Sequence, residues 1–80
     1  MRLPRDISGL ELAQRLKSLG YAPTRATGSH QRLTTQLQGE HHITIPLASP
    51  LRVGTLGAIL QDVAAHFGIT REELHTRLFG

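Results

Sequence analysis

The spacing of apolar residues changes period twice along this chain, from helical to alternating and back. That double switch restricts the fold more than any other feature. Leu12, Ala13, Leu16 and Leu19 recur on one helical face, with Glu11, Gln14, Arg15, Lys17 and Ser18 on the other. Ser8 and Glu11 stand at capping-box spacing, Ile7 and Leu12 at the flanking staple positions, and Gly20 follows the last periodic residue. The pattern predicts an amphipathic helix over 8–19, with Met1–Ile7 as a leading arm.

From Tyr21 to Pro46 the period becomes two and β-branched residues enter. Thr27-Gly28-Ser29 and Leu37-Gln38-Gly39-Glu40 break the alternation as turns. Three short strands follow, 21–26, 30–36 and 41–45, in a meander. Parity assigns their faces. Leu33, Ile43 and Ile45 point one way, with Gln31, Thr35 and His41. His30, Arg32, Thr34, Gln36, His42 and Thr44 point the other, onto an open side if the apolar residues face helices.

After a loop from Leu47 to Val53, with Pro50 inside it, the helical period returns. Gly54-Thr55 opens a second helix whose apolar positions are Leu56, Ile59, Leu60, Val63, Ala64 and Phe67, and Gly68 ends it. Thr70 and Glu73 form a second capping box, with Ile69 and Leu74 at its staple positions, ahead of a short helix over 71–78. The expected architecture is α+β, in the order α-β-β-β-α plus a short C-terminal helix. It is a sandwich of a three-stranded antiparallel sheet with helices on one face.

With 80 residues, one domain with a thin core is expected over 1–80. The chain has no Cys, which removes disulfides, thiolate metal sites and cysteine nucleophiles together. No apolar run approaches the ~20 residues of a membrane span, and the first residues lack the apolar core of a signal peptide. A cytoplasmic protein without membrane contact is expected. Net charge is +3, and among nine basic residues only Lys17 is Lys. Arg binds phosphate bidentately and stacks on bases, so this balance points to a nucleic-acid or phosphate partner.

Few catalytic constellations remain. Asp6, Glu11, Glu40, Asp62, Glu72 and Glu73 read as caps or solvated helix faces, not paired catalytic carboxylates. His41 and His42 are adjacent on a strand, so their rings diverge, and no metal or cofactor is expected. His30 differs, because it follows Gly28-Ser29 at the mouth of a strand. Glycine there allows positive φ and close approach of a phosphate backbone. Ser29 can donate to a phosphate oxygen, and an imidazole can take and give a proton near neutral pH. Arg25 and Arg32 lie within a few residues. Together these are a minimum for RNA cleavage: a base for the 2′-hydroxyl and cations for the charge on phosphorus. RNA carries its own nucleophile, so no metal is required.

Thr27-Gly28-Ser29-His30, the strand ending Ile43-Thr44-Ile45-Pro46, and Val53-Gly54-Thr55-Leu56-Gly57-Ala58-Ile59-Leu60 resemble the HicA family of bacterial toxins. Leu3-Pro4-Arg5-Asp6-Ile7-Ser8-Gly9, Glu40-His41-His42 and the segment from Asp62 to Ile69 look like one branch of it. The resemblance runs in order over nearly the whole chain. It implies the fold of a double-stranded-RNA-binding domain and ribosome-independent cleavage of messenger RNA. It also implies a HicB-type antitoxin that occludes the site, with His30 matching the family's catalytic His. The chain departs from the common pattern at Gln31 and in the loop Leu47-Ala48-Ser49-Pro50-Leu51-Arg52, which holds one cation and no His.

Three readings compete. The first is a metal-independent endoribonuclease, with His30 catalytic and Gly28, Ser29, Arg25 and Arg32 binding RNA. The second is a non-catalytic RNA-binding module of the same fold. The third is a DNA-binding helix-turn-helix at Gln61–Leu78, for which Glu72 and Glu73 make a poor reading helix, so no DNA contact is expected.

Overall fold

A computed structural model describes residues 6–80. The leading arm and the family-like run Leu3-Pro4-Arg5 therefore lie largely outside the described residues. The helix expected over 8–19 comes in two parts, α1 (Gly9–Arg15) and a 3₁₀ turn (Leu16–Leu19). Ser8 Oγ accepts from Glu11 N at 3.0 Å and caps the helix, one half of the expected capping box. The tightening has a packing cause. A three-residue turn eclipses i and i+3, which stacks Leu16 and Leu19 into the core together. Gly20, at φ 83°, then turns the chain out of the helix.

The strands are β1 (Ala22–Thr27), β2 (His30–Thr35) and β3 (His41–Pro46), antiparallel in that order, each within a residue or so of expectation. Next come α2 (Val53–Phe67) and α3 (Arg71–Phe79). Gly68 closes α2 in the left-handed region at φ 66°, with its N–H and that of Ile69 donating to the Ala65 and Ala64 carbonyls. Thr70 Oγ1 accepts from Glu73 N at 3.0 Å and starts α3.

The core lies between helices and sheet. Leu12, Leu16, Leu33, Ile45, Leu56, Leu60, Val63 and Leu74 are each almost inaccessible, and Ile7, Tyr21 and Leu51 join them. Each such aliphatic chain contributes about 1.5–3 kcal/mol by leaving water. Leu33, Ile43 and Ile45 are buried and their outward neighbours are not, so parity holds on β2 and β3. The helices pack on β3, and Leu33 and Thr35 of β2 are buried beside it, whereas all six residues of β1 are exposed. This is a small α+β domain whose second sheet face is left uncovered. Among the described residues, no helix is long and apolar enough to cross a membrane.

Candidate functional site on the open sheet face

β1 is an edge strand and begins Ala22-Pro23, a position where a missing N–H costs no ladder bond. Its pairing with β2 is Pro23↔Leu33 and then Arg25↔Arg32, with Thr24 as the extra residue of a bulge. Directly opposed residues share a face. Simple alternation from Pro23 would turn Arg25 to the helix side, and the bulge returns it to the open side. Thr24 is held there, its Oγ1 lying 3.0 Å from Thr34 Oγ1.

The open face of β2 therefore carries His30, Arg32 and Thr34 in sequence. Across from them are Thr27 and Arg25 on β1, and Pro46, Thr44 and His42 on β3. His30, Arg32 and His42, expected there from the sequence, lie on this face, and the bulge adds Arg25 to them. Like charges set directly opposite one another destabilise a sheet. Arg25 and Arg32 are so placed, and neither has an acidic partner within ion-pair distance among the described residues.

His30 is exposed at the mouth of β2, with Nδ1 3.1 Å from Ser29 Oγ. When Nδ1–H donates to that hydroxyl, Nε2 carries the free lone pair and faces solvent. Gly28 has φ 46°, and a Cβ built there would meet nothing within 4 Å. The glycine therefore serves the turn's left-handed backbone conformation rather than a close contact. The Ser29 carbonyl accepts from Leu47 N at 2.6 Å, pinning the 47–53 loop beside the turn. That loop contributes a cleft lined by Pro46, Ala48, Leu51, Arg52 and Thr55, next to His30 because Pro46 is its cross-strand partner.

One polar cluster escaped the sequence reading, which placed His41 on the apolar face of its strand but named no partner for it. Tyr21 Oη lies 2.7 Å from His41 Nδ1, and His41 Nε2 lies 3.2 Å from Asp62 Oδ1. The His66 ring stacks on His41 at 4.4 Å and 10°, while its own Nε2 donates to the Leu37 carbonyl at 2.9 Å. Burial pushes the Tyr21 phenol up to about 12, with the charge of Asp62 adding to the effect. The cluster ties α2 to the β2–β3 turn on the helix side, away from His30. Its signal was available in part: His41 has core parity, and Asp62 and His66 are four apart on one helix flank. Among the described residues no three His, Asp or Glu converge as metal ligands.

Compared with protein-family models, curated proteins and solved structures, the chain matches none.

Proposed function

We propose that this chain is a HicA-type toxin, an endoribonuclease of messenger RNA with the fold of a double-stranded-RNA-binding domain. In this reading it is held in check in the cytoplasm by a HicB-like antitoxin. The observation that carries it is the open face itself. A solvent-facing imidazole, oriented by the neighbouring serine, stands one face position along β2 from an unneutralised arginine pair. The family resemblance supplies the biological setting, and the geometry supports the chemistry.

The chemistry uses the substrate's own nucleophile. His30 Nε2 takes the proton of a ribose 2′-hydroxyl, whose oxygen attacks the adjacent phosphorus. The bond to the 5′-oxygen breaks, and that oxygen takes a proton from the imidazolium or from water. The products are a 2′,3′-cyclic phosphate and a 5′-hydroxyl end. Arg32 and Arg25 neutralise the charge that builds on the phosphoryl oxygens, a role worth several kcal/mol where such donors are preorganised. Ser29 orients the imidazole through Nδ1, and Gly28 supplies the positive φ of the turn that presents it.

The test is cleavage of RNA in EDTA by the wild type and by His30→Ala. Loss of cleavage in the variant, with its melting temperature retained, supports the proposal. Equal rates for the two proteins refute it. Growth arrest on expression separates the nuclease from a module that only binds RNA.

A further inference from the structure

We infer that the open face carries a second RNA contact at His42, and that single-stranded RNA runs along β2 from His30, over the arginine pair, to reach it. The inference rests on the RNA-cleaving reading of His30 and adds the path of the substrate.

The register sets the path. His30 pairs with Pro46, Arg32 with Thr44 and Thr34 with His42. Outward residues of a strand repeat every ~6.6 Å, so the His42 position lies ~13 Å along β2 from His30. That straight row of evenly spaced donors suits an extended strand, whose phosphates recur at a similar interval. A duplex would curve away from it.

The His42 ring is already oriented for an anion. Its Nδ1 lies 2.7 Å from Thr34 Oγ1, which itself lies 3.0 Å from Thr24 Oγ1. Thr34 donating to Nδ1 leaves the hydrogen on Nε2. That Nε2 points toward Glu40 Oε1 at 3.5 Å, and Glu40 is well exposed. The carboxylate marks the direction from which an anion reaches the ring, and a phosphate arriving there replaces it. Glu40 lies in the β2–β3 connection, where Gln36 Nε2 donates to its other oxygen at 3.3 Å. Its negative charge therefore bounds the track at that end.

The experiment reads fluorescence anisotropy of labelled single-stranded RNA, a dinucleotide and a hexanucleotide, in a His30→Ala background that prevents turnover. Adding His42→Ala weakens the hexanucleotide about tenfold, the scale of one lost hydrogen bond to a charged group, and leaves the dinucleotide unchanged. Thr34→Val, which keeps the branched shape but releases the ring, gives a smaller loss with the same length dependence. Glu40→Gln tightens the hexanucleotide. An equal effect on both lengths, no effect on either, or His42 dependence for duplex RNA alone overturns the inference. Cleavage by the protein with His30 intact is scored separately. A length-dependent His42 effect without cleavage would sink the nuclease reading and keep the RNA path.

Discussion

Gly9→Ala is the substitution with the sharpest consequence, because helix propensity and packing predict opposite signs. Gly9 begins α1 and is buried against the end of β3, and its N–H donates to the Ala48 carbonyl at 2.9 Å. A Cβ there would overlap the Pro46 carbonyl oxygen, with Pro46 C at 2.9 Å and Ile45 Cγ2 at 3.2 Å. The obstacle is backbone, so no rotamer change relieves it, and either α1 or the end of β3 must move. Overpacking of this kind costs about 1–3 kcal/mol, and a strained Gly9–Ala48 bond adds up to about 1 kcal/mol. Helix propensity and a stiffer unfolded chain return at most about 1 kcal/mol. A net loss near 2 kcal/mol lowers the melting temperature of a domain this size by roughly 8–16 °C. Gly54→Ala is the control. Gly54 lies within α2, where a Cβ meets nothing within 4 Å, so alanine there raises stability by about 0.5–1 kcal/mol. Thermal melts by circular dichroism read both. Pro46 is the cross-strand partner of His30, so Gly9→Ala also lowers RNA cleavage by more than the folded fraction accounts for. A Gly9→Ala protein as stable as the wild type refutes the close approach of α1 to β3.

Thr35 is buried, and its Oγ1 donates to the Leu19 carbonyl at 2.8 Å while accepting from Leu37 N at 3.1 Å. Thr35→Val leaves both backbone groups unpaired and costs about 2 kcal/mol in chemical denaturation; a loss below about 0.5 kcal/mol would show that water satisfies them. Tyr21 is the sole tyrosine, so absorbance titration reads one group. Its phenol is raised from the ordinary 10.0 to about 12, so its contribution to stability is whole below pH 10 and is lost as pH climbs toward 12. A midpoint near the ordinary value in the folded protein contradicts the burial. Arg25→Thr relieves the opposed arginines, raising stability by about 0.2–1 kcal/mol, while the salt slope of single-stranded RNA binding falls by about 0.7. An unchanged slope would remove Arg25 from the RNA face.

What the sequence revealed was local. Ser8–Glu11 and Thr70–Glu73 each lie three residues apart, and at both the cap hydroxyl accepts from the glutamate N–H, although the reciprocal glutamate side-chain bond of a full capping box is not made among the described residues. Parity on β2 and β3 needs only neighbouring residues, and it placed His30, Arg32 and His42 correctly on the open side. Two features escaped it because they depend on pairing across the fold. The β1 bulge is invisible to alternation, yet it decides which face Arg25 joins. The Tyr21–His41–Asp62 chain joins residues about twenty apart, and nothing near Asp62 in sequence announces His41.

The adjacent pair His41-His42 shows how one short strand serves stability and ligand binding together. Alternation sends the first ring inward, where Tyr21, Asp62 and His66 hold it and it fastens α2 to the sheet. It sends the second outward, where only hydroxyls and one exposed carboxylate meet it. A domain with a thin core has few apolar residues to spare for a second sheet face, so that face must be polar. Most polar residues would satisfy solubility equally well. Two opposed arginines would not be the cheapest choice, since they repel each other and have no acidic partner among the described residues. Under the proposed function, an RNA strand along the row would recover that cost. The uncovered face is therefore the place where this fold departs from what stability alone asks, and the imidazole at its mouth is where chemistry would act on the anion.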